Sequence, residues 1–269
     1  MLVAFEWIIS ALDETWRTLE QTLRGRSERT FDALTACPGW SVRDVVSHVI
    51  GTQLWLNGAE VPELTAEIPP HVRNGQGERN EAFVASRRHV AGDELLDEFR
   101  RVTSSAQSRL TEMTDGAWHE MHPKTQRSVI ATYETQLVDS WIHLQDVRDA
   151  LLEPSDDHGA GEELVLHHFE ATLGYFWARC GAPEGSLLQM NIAGRSARVV
   201  MVRVEEGRGL PVTSTAQTPD VEITTAAALF WRRCAGRISA EAFLRASATD
   251  VRGDRVRAIA FTNTLVSVF

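Results

Sequence analysis

The chain has 269 residues, 43% of them hydrophobic and 24% charged, which suits a soluble globular protein with a substantial core. A formal net charge of −10, with no run of Lys or Arg, excludes a nucleic-acid backbone as partner, because that would need a basic stripe. Apolar runs are too short to cross a bilayer, and Met1-Leu2-Val3-Ala4-Phe5-Glu6 lacks the features of a signal peptide, so a cytoplasmic location without a membrane partner is expected.

A first helix is predicted over about residues 2–25, where Phe5, Ile8, Ile9, Leu12, Trp16, Leu19 and Leu23 recur at three- and four-residue steps. Cys37-Pro38-Gly39-Trp40 reads as a turn. Ser41 then offers an N-cap, with Asp44 three residues later in a near capping-box pattern, opening a helix from Val42 to about Asn57. The Pro- and Gly-rich stretch Gly58–Gly77, with Pro69-Pro70, is longer than compact domains usually tolerate and is a candidate lid or pocket rim. A third helix is predicted over Glu78–Met113, broken at Gly92-Asp93, and a fourth over Ser128–Leu152, ending before Pro154. Four helices with one long crossover make a bundle, in which sites form from inward-facing residues.

Near residue 155 the pattern changes. A helix is expected near Glu162–Cys180, then strands at Leu187–Ile192 and Arg198–Val204 joined by a hairpin turn. A third strand at Val221–Thr224 and helices at Ala226–Arg233, Ala240–Ala246 and from Asp254 complete the series. The expected fold class is α+β: a four-helix bundle over 1–154 and a smaller α/β domain over 155–269.

The chemistry concentrates in Asp139-Ser140-Trp141-Ile142-His143-Leu144-Gln145-Asp146. Asp139 and His143 are four residues apart and share a helix face. Joined by His48 from another helix, they would form a three-ligand metal site with a position left open. The plain alternatives are an i,i+4 pair worth about 0.2–0.5 kcal/mol for Asp139 and His143, and a satisfied core histidine for His48. Asp146 could accept from the histidine and fix its tautomer, although a structural role is favoured for it. Two imidazoles and one carboxylate suit Zn²⁺, which lowers the pKa of a bound water or thiol and tolerates sulfur.

The three cysteines, Cys37, Cys180 and Cys234, form neither a disulfide framework nor a zinc knuckle. Cys37 lies in the turn ahead of a helix whose dipole could lower a thiol pKa, but a buried, inert cysteine is the commoner outcome. Trp40 is expected to anchor the turn. His119 and His122, and His158 with His167-His168, read as solvated loop or hinge residues. Gly236-Arg237 reads as a helix C-cap, followed by an arginine able to fork onto a carboxylate.

Two segments, Cys37-Pro38-Gly39-Trp40-Ser41-Val42-Arg43-Asp44-Val45-Val46-Ser47-His48 and Trp141-Ile142-His143-Leu144-Gln145-Asp146-Val147-Arg148-Asp149-Ala150-Leu151, resemble the motifs of the mycothiol-dependent maleylpyruvate isomerase family, within the DinB-like metal-binding superfamily. Ala235-Gly236-Arg237 with Val251-Arg252-Gly253-Asp254 is similar to the family's C-terminal segment, although Ile238–Thr249 is longer than expected. The resemblance implies a DinB-like bundle whose divalent metal, usually zinc, is held by His48, Asp139 and His143. The family carries glutamate where this chain has Asp139, one methylene shorter. It also implies mycothiol, a low-molecular-weight thiol, as cosubstrate, and Arg237 as the catalytic residue holding a substrate carboxylate.

On this view the thiolate adds to an electrophilic small molecule, and either elimination gives isomerisation or retention gives S-transfer. The alternatives are a non-catalytic metal- or ligand-binding protein on the same scaffold, which the shortened Asp139 favours, and a Cys37 nucleophile paired with a histidine. The substrate is set by loops that no motif reports.

Overall fold

The amphipathic spacing at the N-terminus folds as α1 (Ala4–Leu23), which buries Ile8, Leu12, Trp16, Leu19 and Leu23 along one stripe. The computed structural model describes residues 4–64, 67–154 and 159–267. These divide between Ser155 and Asp156 into two compact units.

In the first unit, α1 is followed by a short α2 (Glu28–Phe31), then α3 (Val42–Leu56), α4 (Gly75–Ala85), α5 (Gly92–Glu112) and α6 (Val129–Ala150). The bundle consists of α1, α3, α5 and α6. Both α1 and α3 pack against α5 and α6, while α4 lies on α3. Polar links tie α6 to its neighbours: Trp16 Nε1 donates to Ser140 Oγ at 3.0 Å, and Gln53 Nε2 to Gln136 Oε1 at 3.1 Å.

The helix expected over Glu78–Met113 is two helices, and their separation falls before Gly92 rather than at it. At this break lies α2, which the sequence did not announce. Glu28 accepts from the Gly92 N–H at 3.0 Å and pairs with Arg43, which also donates to the Val90 carbonyl. These bonds take up polar groups freed by the break, and Asp93 and Glu94 then favour the N-terminus of α5 through its dipole.

The second unit comprises α7 (Ala160–Glu170), α8 (Leu173–Arg179), β1 (Leu187–Ala193), β2 (Arg198–Glu205), β3 (Arg208–Pro211), β4 (Val221–Ala226), α9 (Ala227–Cys234), α10 (Ala240–Arg245), β5 (Thr249–Gly253) and α11 (Arg255–Thr264). Its sheet has the order β3-β2-β1-β4-β5, with β1 and β4 parallel and the other pairs antiparallel. Leu188, Met190 and Ile192 alternate into the core from β1, as do Val221, Ile223 and Thr225 from β4.

The helix predicted over Glu162–Cys180 is α7 and α8, divided at Ala171-Thr172. The strands β3 and β5 were not predicted. They are short edges rich in Arg, Gly, Pro and Asp, whose composition carries little strand signal. Gly236 does cap α9: at φ 72° its N–H bonds the Arg233 carbonyl, and the Arg237 N–H bonds that of Arg232 at 2.8 Å. No helix among the described residues is long and apolar enough to cross a membrane.

Gly51 sets how closely α4 approaches α3. A Cβ there would lie 2.3 Å from Phe83 Cβ. Gly51→Ala gains about 1 kcal/mol of helix propensity, but overpacking costs about 1–3 kcal/mol, and a Cβ so near its own backbone yields little. A lower urea midpoint is therefore expected. An unchanged or higher midpoint would show that α4 shifts freely.

Candidate metal centre

The turn ahead of α3 is determined by its own residues. Gly39 adopts φ 79°, and a Cβ there would meet His71 Nδ1 at 2.4 Å, so both conformation and space require glycine. The expected capping box is present: the Asp44 N–H bonds Ser41 Oγ at 3.3 Å and the Ser41 N–H bonds Asp44 Oδ2 at 2.9 Å. This sets the phase of α3 and turns His48 inward, where it is 4% exposed. From the adjacent α6 come His143 and Asp146, both buried, and Asp139, whose side chain is 22% exposed.

The structure brings His48, Asp139 and His143 together. One Asp139 oxygen, Oδ2, lies 3.1 Å from His48 Nε2, and the other, Oδ1, 3.6 Å from His143 Nε2. Ligand atoms of all three lie within 4.8 Å of one another. Bonds of 2.0–2.2 Å at tetrahedral angles put neighbouring ligand atoms about 3.4 Å apart, so both carboxylate–imidazole separations suit one small divalent cation. Asp139 therefore reaches both histidines despite being one methylene shorter than glutamate. Burial pushes the His48 imidazole below its ordinary pKa, and the Asp139 carboxylate opposes that push. A neutral imidazole is the form that binds a metal.

Asp146 does more than the structural role favoured from sequence. Its Oδ2 lies 3.0 Å from His143 Nδ1. An ionised carboxylate only accepts, so the proton sits on Nδ1 and the Nε2 lone pair points towards Asp139. His48 has no such support: its Nδ1 is buried without a hydrogen-bond partner.

Trp40 anchors the turn as expected and also walls the cluster, its ring 4.9 Å from that of His48 and 5.9 Å from that of His143. Its indole N–H donates to Glu81 at 3.1 Å. Glu81 is fully buried and is also met by His71 Nε2 at 3.2 Å and the Arg88 guanidinium at 2.7 Å. Arg79, on α4, lies over the Trp55 ring at 3.8 Å, and its charge acts on both Asp139 and His48. Neither Arg79 nor Glu81 belongs to a recognisable motif. The available hint was Trp55, seven residues beyond His48 and so on the same face of α3.

The other candidates distribute differently. Cys37 is half-buried rather than sealed in the core, and its sulfur forms a second cluster with His143 and Asp146, ligand atoms again within 4.8 Å. His122, expected to be solvated, is 8% exposed, because the loop folds over it. Burial lowers its pKa. His119 and His167 are exposed, His168 is half-buried, and His158 lies outside the described residues. Arg237 stands in the second unit, where its guanidinium donates to the Ala235 carbonyl at 2.8 Å.

The family model described as the mycothiol maleylpyruvate isomerase N-terminal domain matches residues 12–148. The chain belongs to this family. The matched segment contains His48, Asp139 and His143 and stops short of Arg237. A crystal structure of the mycothiol-dependent maleylpyruvate isomerase is similar with a TM-score of 0.59 and 17% identity, covering 93% of this chain and 95% of that one. A point mutant of that enzyme aligns with a TM-score of 0.56 and 17% identity, covering 88% and 93%. At that identity the likeness speaks to fold, and the fold is the expected α+β arrangement with a DinB-like bundle. No curated protein matches the chain.

The Asp146–His143 bond makes a prediction independent of any metal. In wild-type protein, ¹⁵N NMR should show His143 as the Nδ1–H tautomer. Asp146→Leu should convert it to a mixture rich in Nε2–H. An unchanged tautomer would mean that another group orients the ring.

Proposed function

We propose that this family member is a divalent-metal-dependent enzyme that uses a low-molecular-weight thiol, mycothiol, to isomerise or S-conjugate an electrophilic small molecule. The observation that carries this proposal is the convergence of His48 Nε2, an Asp139 carboxylate oxygen and His143 Nε2 inside the bundle. These residues would hold the ion, with zinc the natural choice for two imidazoles and a carboxylate. When bound, it supplies Lewis acidity that lowers a thiol's pKa and keeps the sulfur anionic near neutral pH.

The chain's own residues prepare the rest. Asp146 holds the proton on His143 Nδ1 and keeps Nε2 free. The Trp40 indole shields both imidazoles from water. Asp139, the most exposed of the three, marks the side open to small molecules. An anionic sulfur adding to a conjugated electrophile creates a single bond about which the adduct can rotate. Expulsion of the sulfur then yields the isomer, and its retention yields the conjugate. Both outcomes share the first step, and the loops around the cluster would determine which is followed.

Cys37 supports a second proposal, in which its sulfur is the nucleophile and His143 its base, because the two belong to one cluster with Asp146.

Elemental analysis of purified protein separates these proposals. About one divalent ion per chain is expected. His48→Ala should lose both the ion and mycothiol-dependent turnover while keeping its helical circular dichroism. Retention of both by His48→Ala would refute the metal proposal. Cys37→Ser should keep metal and activity. Metal retained with activity lost would favour the Cys37 nucleophile.

A further inference from the structure

Several arginines of the first unit have acidic partners: buried Arg43 pairs with Glu28 and Asp32, half-buried Arg87 with Glu98, and the more exposed Arg88 with Asp44 and Glu81. Arg79 does not. It is half-buried, its hydrogen bond goes to the neutral Asn80 side chain at 3.3 Å, and among the described residues no carboxylate lies within ion-pair distance. A guanidinium keeps its charge in proteins, and burying a charge without an anionic partner is costly.

Its location gives that cost a use. Trp55 and His48 share a face of α3 two turns apart, about 10 Å along the axis. Arg79 rests on Trp55 and is near enough for its charge to act on His48 and Asp139. Stacking occupies one face of the guanidinium plane. Apart from the Nη2 contact with Asn80, the N–H groups of its edge remain, with the fork geometry that matches a carboxylate. Asp139 does not fill this role, since its two oxygens face the two imidazoles.

We infer that Arg79, held flat on Trp55, binds the carboxylate of the small molecule brought to the His48–Asp139–His143 cluster. This rests on the proposed function for its reaction, though not for its anion binding. It assigns the carboxylate anchor to the bundle.

The test is calorimetric titration of zinc-loaded protein with maleate and with its neutral diamide. Wild type should prefer maleate. Arg79→Gln should weaken maleate binding by about tenfold or more, as for loss of a charge-assisted bidentate contact. Zinc content, thermal midpoint and affinity for the diamide should not change. Arg79→Lys, which keeps the charge but not the fork, should recover part of the loss.

Equal maleate affinity in wild type and Arg79→Gln would overturn the inference, as would no maleate binding by wild type. Parallel loss of both ligands with a fallen thermal midpoint would assign Arg79 a structural role instead. If wild type takes up no zinc, the proposed function fails. Repeating the titrations on zinc-free protein would then still decide whether Arg79 holds the anion.

Discussion

Two imidazoles and a carboxylate placed side by side within a helix bundle are the constraint around which the first unit is built. Removing such groups from water is unfavourable unless each finds a partner. The bundle supplies some of them: Asp146 for His143 Nδ1, and Asp139 for His48 Nε2. His48 Nδ1 is left without one, and the His143 Nε2 lone pair faces a carboxylate oxygen that cannot donate to it. Such a site tolerates little sliding, because a shift of one helical residue moves a side chain by about 1.5 Å and swings it by about 100°. The Ser41–Asp44 capping box, the Gln53–Gln136 bond and the Trp16–Ser140 bond limit the sliding of α3 and α6.

Another buried carboxylate extends this constraint to the surroundings of the cluster. Glu81 receives the Trp40 indole, His71 and Arg88, and Arg88 reaches on to Asp44 at 3.0 Å. The residue that caps α3 therefore also anchors α4 through a shared arginine. Removing one partner from a buried ion pair is expensive because the other is left uncompensated. The turn, the long loop carrying His71 and the start of α3 consequently hold their positions jointly. Gly39 fits this scheme, since only a residue without a side chain allows His71 to cover the turn.

Much of this was legible in the sequence, for identifiable reasons. The bundle helices have long 3.6-residue periodicity, and the α3 cap depends on local residues alone. Asp139 and His143 are related by helix geometry over four residues, so their pairing is a local fact too. Association with His48 is not local: ligand chemistry suggested it, and the family resemblance pointed to the same three residues. What escaped was of two kinds. Short elements such as α2, β3 and β5 have too few residues to establish a pattern. The roles of Asp146, Glu81 and Arg79 depend on which neighbours tertiary packing brings, and His122 is buried by a loop rather than by its own sequence.

Charge balance connects the remaining features. Under the proposed function, a divalent ion, an ionised Asp139 and an anionic sulfur sum to zero, since an imidazole that ligates a metal carries no charge. Arg79 is then the uncompensated charge beside the cluster, at a distance where partial burial makes Coulomb interactions larger than in water. A neutral electrophile would leave that charge standing. One bearing a carboxylate would neutralise it, and the same carboxylate would fix the molecule's orientation relative to the sulfur. Before any ion arrives, Arg79 and the two imidazoles instead share the single negative charge of Asp139. The site is thus near electrical balance when empty and again when loaded with an anionic small molecule, and the fixed guanidinium favours anionic small molecules over neutral ones of the same shape.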